Sequence, residues 1–374
     1  MWKLQTSKKD TSPFLTSLNG FNGRQTWEFV PGAGTSEERA EVERLRTAFT
    51  ENRLTQRQSA DELLRMQYRQ KLSWRPLPSI KPEEATNSAD YVQRALQDGM
   101  NFYETLQAED GHWAGDYGGP MFLMPGLIIS CYITGALNMV LSQQHKTEMR
   151  RYPEQPPEQR RGFGLHIEGP STMFGTALSY VSLRILGMDA GDPVCEGARA
   201  WIHSRGGAVN TPSWGKFWLA TLGAYAWEGL NPLPPEMWLL PYASLDWHWP
   251  RPSRALLVPL PHGVPAHELY LEPYSGIKWD THRNACAAED EFYPHPWVQN
   301  LMWWGISRIE PWLHNSYLRK RALKEASTLI HYEDENTRYV CIGPVNKTLN
   351  MLAVWLEDPS GDSFKRYLDA TQVC

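Results

Sequence analysis

The stretch QAEDGHWAGDYGGPMFLMPG, Gln107–Gly126, decides how this chain is read. Its first seven residues have the spacing Q-x-x-x-G-x-W. Gln107 can present its amide to a helix N-terminus, where backbone N–H groups lack intrahelical partners. Gly111 permits a tight turn, and the Trp113 ring can stack on the amide plane. A unit of this kind would staple successive helices together. A seven-residue spacing also arises by chance in an ordinary turn. The ordered run of Gly115, Asp116, Tyr117, Gly118, Gly119 and Pro120 that follows makes chance the weaker reading.

Just beyond that turn the chain imitates a membrane span. No charged residue occurs from Gly118 to Gln143, and 121–141 is mostly apolar. About 20 such residues suffice to cross a bilayer. Pro125 and Gly126 near the start, Ser130, Thr134 and Asn138 inside, and a mean hydropathy of −0.50 favour a helix buried in a protein core instead.

On either side the pattern is helical. Thr35 and Glu38 form a capping box ahead of Ala40, Val42, Leu45, Ala48 and Phe49 at helical spacing. Ser59 and Glu62 form a second box. Ser171 is expected to open a third helix through Met173, Phe174, Ala177, Tyr180, Val181 and Ile185, stopping at Gly187. Segments near 195–204, 217–229, 297–306, 316–331 and 345–356 also read as helices. Strand alternation is weak throughout, and Pro/Gly-rich turns separate the helices. The expected class is all-α, an array or toroid of helices.

Composition bounds the function. The chain has 374 residues, with 17 Trp, 16 Tyr and 11 Phe, so there is ample apolar material for a core. The 42 acidic and 37 basic residues leave a net charge of −5, which gives no electrostatic case for nucleic acid. The five cysteines show no C-x-x-C spacing and suggest neither a disulfide framework nor a zinc site. The start, Met1 to Leu4, turns polar at once and does not read as a signal peptide. A Trp count this high suggests a purpose beyond filling space, because each ring needs a large slot and each N–H a partner.

Several long stretches carry a family resemblance. They are MWKL at the start, GRQTWEF (Gly23–Phe29), LQAEDGHWAGDYGGPMFLMPGL (Leu106–Leu127), GLHIEGPSTMFGTAL (Gly164–Leu178), SWGKFWLATLG (Ser213–Gly223), NPLPPEMWLLPY (Asn231–Tyr242) and HYEDENTRYVCIGPVNKTLNML (His331–Leu352). With these the chain resembles the plant-type oxidosqualene cyclases, those that form cycloartenol above all, over their N-terminal half only. The resemblance implies a fold of two α/α toroids with an aromatic-lined cavity between them. Here it implies a helical extension over 1–85 and a partial toroid over 86–374, with the second toroid absent. It also implies cyclisation of 2,3-oxidosqualene to a tetracyclic sterol precursor. Aromatic faces suit that chemistry, since they stabilise a travelling cation without acting as bases. Tyr117 and Trp214 match cavity positions of the family, while Gln107, Gly111 and Trp113 match its structural repeat. No metal or organic cofactor is implied. The implied partners are the lipid-dissolved substrate, the missing C-terminal half, and the membrane or lipid-droplet surface. The implied location is the cytosolic face of the endoplasmic reticulum membrane or a lipid droplet, with monotopic attachment.

The departures from the family pattern carry equal weight. The epoxide-protonating acid of the family lies in an Asp-Cys-Thr-Ala-Glu motif that does not occur here. Opening an epoxide by general acid catalysis needs a carboxylic acid held protonated and aimed. This chain is therefore expected to be inactive alone. Residues 243–268 are proline-rich and unlike the family, and neither His248 nor His262 is a safe replacement for its cavity histidine. Where a second Q-x-x-x-G-x-W unit is expected, Pro157, Arg161 and Phe163 stand in place of Gln, Gly and Trp. Abrupt blocks at 153–161 and 243–268 between well-matched flanks suggest shifted reading frames or misplaced exon boundaries. Two other readings stay open. One is a short non-catalytic relative that binds lipid or a partner. The other is a toroidal glycoside hydrolase using paired carboxylates among Glu109, Asp110 and Asp116.

Overall fold

The computed structural model describes residues 1–6, 17–52, 89–108, 110–113, 119–152, 162–232, 234–239, 266–293, 296–313 and 316–372. The chain groups into two compact units, Met1–Gly119 and Pro120–Val373.

The first unit opens with an antiparallel pair, β1 (Trp2–Thr6) and β2 (Gln25–Phe29), in which Trp2 faces Phe29 and Leu4 faces Trp27. Trp2 and Phe29 meet edge-on at 5.5 Å. The amino terminus extends the pairing by donating to the Val30 carbonyl at 3.0 Å. The weak alternation of these two segments hid them from the helical reading. Cross-strand aromatic pairing is what holds so short a ribbon. Helix α1 (Ser36–Asn52) starts where the capping box predicts. The Glu38 N–H donates to the Thr35 hydroxyl at 3.2 Å, and the Thr35 N–H donates to the Glu38 carboxylate at 2.8 Å. Helix α2 (Ala89–Leu106) leads into the Q-x-x-x-G-x-W turn. The second predicted box, at Ser59, lies outside the described residues.

The second unit is helical. The apolar run that imitates a membrane span is α3 (Met124–Ile133) and a short α4 (Leu137–Val140), with a break at Thr134 and Gly135. Among the described residues no helix is long and apolar enough to cross a membrane. Burial covers every side of α3, with Ile128, Ile129, Ser130 and Cys131 shut off from solvent. Such all-round burial explains why its sequence looks like a membrane segment. Pro125 sits in its first turn, where a missing N–H costs nothing. Gly126 lets the Trp218 ring approach closely, since a Cβ there would lie 3.2 Å from it. Helix α5 (Gln143–Arg151) follows, with Ser142 capping it.

Helix α6 (Met173–Ile185) is the centre of this unit, with Met173 through Leu183 all buried. It packs against α3, α7 (Pro193–Ser204) and α8 (Ser213–Thr221). Its N-cap is Thr172, whose hydroxyl accepts from the Gly175 N–H at 3.0 Å, one residue later than the sequence pattern suggests. Ser171 pairs instead with Gly164 in an isolated bridge. Gly187 ends the helix as expected, with φ of +89°. The helix expected over 217–229 is shifted. Helix α8 begins at Ser213 and ends at Thr221, and a separate 3-10 turn covers Trp227–Gly229. The turn through Gly223, with φ of +73°, buries Tyr225 between the two pieces.

Helices α9 (Trp297–Leu313), α10 (Tyr317–Thr337), α11 (Pro344–Glu357) and α12 (Asp362–Gln372) complete the unit. The first three extend predicted segments, and α11 packs on both α3 and α12. Helix α10 packs on the 3-10 segment Pro235–Leu239. There Arg319 donates to Glu236 at 2.7 Å and to Glu310 at 3.3 Å. Residues 153–161 and 243–265 of the altered blocks lie outside the described residues. Residues 266–268 do not. Glu268 accepts from Tyr180 and pairs with Arg184 at 3.2 Å, and its carbonyl oxygen lies 2.9 Å from His203 Nε2. Leu269 and Tyr270 behind it are buried. The chain has therefore rejoined the α6–α7 core by residue 268.

Candidate functional site

An aromatic wall is built where α6 and α8 begin. Pro212 precedes α8 as its N-cap, and Trp214 lies in the first turn. The Trp214 side chain is 59% exposed. Its ring meets Phe174 edge-on, with centroids 5.7 Å apart and planes at 61°. Phe174 is the second residue of α6, so the two helix starts face each other through these rings. Gly215 allows the approach, because a Cβ there would lie 3.3 Å from the Phe174 ring and collide with Thr211.

Two buried charges hold the backbone behind these rings. Asp290 accepts from the Met173 N–H at 2.5 Å and the Phe174 N–H at 3.0 Å, so its carboxylate sits on the first turn of α6. That position is favoured by orphan donors and by the helix dipole. Burial pushes the Asp290 carboxyl up, against the opposing pull of those two N–H groups. Lys216 is 1% exposed, and its ammonium donates to the carbonyls of His282 at 2.5 Å, Arg283 at 3.1 Å and Ala285 at 2.8 Å. All three N–H donors of the ammonium are thus used. Burial pushes it down to about 8. Behind the charges lies an apolar aromatic cluster, with Phe217 edge-on to Trp218 and Trp227 at 5.4 and 6.1 Å. A wall of this kind offers ring faces and edges to a ligand while its nearest buried carboxylate is occupied by backbone N–H groups.

Sequence reasoning singled out Trp214 and missed Asp290 and Lys216. A signal for Lys216 was present, since a lysine inside Trp-Gly-Lys-Phe-Trp cannot reach solvent without leaving the apolar face. Nothing in the sequence shows that its acceptors lie 66 to 69 residues away. Tyr117, the other predicted cavity residue, lies outside the described residues, as do Glu109 and Asp116.

The predicted repeat unit is an ordered turn in the first unit. Gly111 has φ of +88°, and Gln107 and Trp113 face each other in an antiparallel bridge. The Gln107 amide donates to the Gly111 carbonyl at 2.6 Å, and the Trp113 indole N–H donates to the Tyr103 carbonyl at 2.7 Å. The amide closes the turn itself instead of reaching a helix N-terminus, and the indole caps the C-terminal end of α2. Asp110 accepts from the Gly23 N–H at 2.9 Å and pairs with His112. Asp110 is thus engaged with a turn N–H and an imidazole, while Glu109 and Asp116, the other carboxylates of the glycoside hydrolase reading, lie outside the described residues. Among the described residues no group of three His, Cys, Asp or Glu side chains is placed to hold a metal.

The architecture is mostly helical, with one short two-stranded ribbon and an aromatic wall where two helix starts face each other. Residues 96–371 match the family model of the squalene-hopene cyclase N-terminal domain. The chain belongs to the squalene-hopene and oxidosqualene cyclase family, and its helical fold agrees with the α/α toroid of those enzymes. It is 42% identical, over 98% of its length, to the alpha-onocerin synthase LCD of Lycopodium clavatum, of which it spans 52%. It is 41% identical over 76% of its length to a cycloartenol synthase of Dictyostelium discoideum, of which it spans 42%. Identity is also 41% over 75% of its length to the lanosterol synthase of Mus musculus, of which it spans 40%. The chain thus covers about half the length of these relatives.

Proposed function

We propose that this chain supplies the N-terminal half of an oxidosqualene cyclase of the cycloartenol-forming type, and that it does not cyclise 2,3-oxidosqualene alone. The observation that carries the reading is the Trp214–Phe174 wall, held by buried charges within a segment that matches the cyclase family over 96–371. In this proposal Trp214 is a cavity residue, Tyr117 takes a cavity role from its match to the family, and Gln107, Gly111 and Trp113 serve as the structural repeat. The Asp-Cys-Thr-Ala-Glu acid motif is absent from the sequence, so the step that starts the reaction falls to a second half of the fold. Helix α9 supports that division. Trp297, Trp304 and Trp312 are exposed, and no residue of the helix is buried. An apolar helix of this kind requires a covering surface. Attachment to the cytosolic face of the endoplasmic reticulum or to a lipid droplet follows from a substrate dissolved in lipid, and it is monotopic in this proposal.

The test is product analysis by gas chromatography and mass spectrometry after incubation with 2,3-oxidosqualene in detergent. The chain alone is expected to give no cyclised product. Co-expression with the carboxyl-terminal half of one of its relatives is expected to restore cyclisation. A tetracyclic product from the chain alone would overturn the division of labour. Release of reducing sugar from a glycan would overturn the cyclase reading itself.

A further inference from the structure

We infer that Lys216 and Asp290 are positioning residues, whose task is to fix the Trp214 ring in the wall. The inference rests on the cavity role proposed for Trp214 and adds the device that holds it. The contacts form a closed circuit. From Trp214 the chain passes through Gly215 to Lys216. The Lys216 ammonium grips the carbonyls of His282, Arg283 and Ala285. The chain then runs from Ala285 through a short 3-10 turn, Ala288–Asp290, to the Asp290 carboxylate. That carboxylate holds the Met173 and Phe174 N–H groups. Phe174 closes the circuit by its edge-on contact with Trp214. The Ala287 N–H adds a tie by donating to the Asn210 carbonyl at 2.8 Å, just ahead of α8.

A circuit of this kind does what neither helix does alone. Trp214 stands in the first turn of α8 and is more than half exposed. Its edge-on contact with Phe174 ties the direction of its ring to the relative placement of two helix starts. Helix starts are the places where unpaired N–H groups accept an outside anchor. Both anchors here are charged groups, and hydrogen bonds to charged groups are shorter and stronger than neutral ones. Lys216 draws α8 toward the 282–285 segment, and Asp290 draws the same segment onto α6. An apolar residue at either position could fill the space but could not specify where three carbonyls or two N–H groups lie. Stabilising a cation through ring faces depends on aim, because the attraction falls away once the charge leaves the ring axis.

The test uses the whole chain labelled with 5-fluorotryptophan and read by fluorine NMR. The Trp214 resonance is assigned as the one lost in Trp214→Phe. Trp201 and Trp227, assigned the same way, report the fold of the same unit. In Lys216→Met the stem remains and the ammonium goes. In Asp290→Asn the shape remains and one of two acceptors goes. The expected result is a Trp214 resonance that broadens or splits in Lys216→Met, and less so in Asp290→Asn, while the Trp201 and Trp227 resonances stay sharp and in place. A merely structural role would move all three together. An unmoved Trp214 resonance in both variants overturns the inference. Loss of all three resonances in both variants overturns it too, since the pair would then be general determinants of folding. Titrating wild-type chain with 2,3-oxidosqualene in detergent separates this inference from the cavity reading. If the variants disturb Trp214 but the epoxide does not, the positioning stands and the cavity role fails.

Discussion

Replacing Asp334 by asparagine should make the stability of this protein less dependent on pH, in a direction set by one buried carboxylate. Asp334 lies in α10 and is 0% exposed. One carboxylate oxygen accepts from the Tyr367 hydroxyl, from Asn350 Nδ2 at 3.1 Å and from the Cys341 thiol at 3.8 Å. The other oxygen is buried without a hydrogen-bond partner among the described residues. Burial is the largest influence on the group. Tyr367 and Asn350 oppose it by hydrogen bonds, His331 opposes it by charge, and Glu333 reinforces it. The carboxyl is pushed from an ordinary 3.8 up to about 6. A shift of about two units at about 1.4 kcal/mol each corresponds to about 3 kcal/mol. The sign follows from which state holds the proton more tightly. The folded state does, so its advantage is full below pH 4 and is lost as pH rises through 6. Asparagine carries no charge at any of these pH values. It keeps a carbonyl for Tyr367, and its NH2 group enters the site of the unpartnered oxygen. That misfit costs about 1–3 kcal/mol at every pH. The variant's stability relative to wild type should therefore improve by about 3 kcal/mol between pH 4 and pH 7.5. Urea unfolding followed by circular dichroism at four pH values across that range measures it. A stability difference that stays constant with pH would refute the reasoning, whatever its size.

Three further outcomes follow from the geometry. Gly215→Ala should destabilise the second unit by about 1–3 kcal/mol, because the added Cβ meets a buried Thr211 methyl at 2.0 Å and the Phe174 ring; a melt indistinguishable from wild type contradicts the close packing of α6 on α8. Glu268→Gln should cost about 3 kcal/mol, since it leaves Arg184 facing a neutral amide in a mostly buried pair. Denaturant titration reads that loss, and a neutral result would show that residues near 268 are not part of the α6–α7 core. Trp113→Phe removes the indole donor to the Tyr103 carbonyl in a half-exposed turn and should cost about 1 kcal/mol. Hydrogen exchange should then speed up around residues 103–113, with no change near α6.

Much of the helical pattern was legible because it depends on local chemistry. The Thr35–Glu38 box works through atoms three residues apart, and the apolar spacing of α6 repeats within a few turns. The start of α6 was misread by one residue because Ser171 and Thr172 carry the same hydroxyl chemistry. Only the pairing of Ser171 with Gly164 assigns the cap to Thr172. The β1–β2 ribbon is not legible in the pattern, since its partners, from Thr6 with Gln25 to Trp2 with Phe29, are distant in sequence and its exposed edges leave little alternation. Within the candidate site, Trp214 was readable from its sequence neighbourhood. Its supports were not, because Asp290 and Lys216 act on backbone groups that sequence does not label.

Local periodicity, capping and long ordered stretches are enough to read the helical class, most of the helix positions and the family from the chain itself. The sequence also determined that the chain carries no Asp-Cys-Thr-Ala-Glu acid. Core burial of the uncharged run from Gly118 to Gln143 was already favoured by its prolines, glycines and polar residues, but only the packed fold divides it into a buried helix, Met124–Ile133, and a short successor, Leu137–Val140. Tertiary structure alone decided that Glu268 belongs to the core, and that one lysine and one aspartate stand behind the aromatic wall. The physical reason is the same in each case. Burial and long-range hydrogen bonds depend on which distant backbone groups meet, and that is settled only when the helices pack.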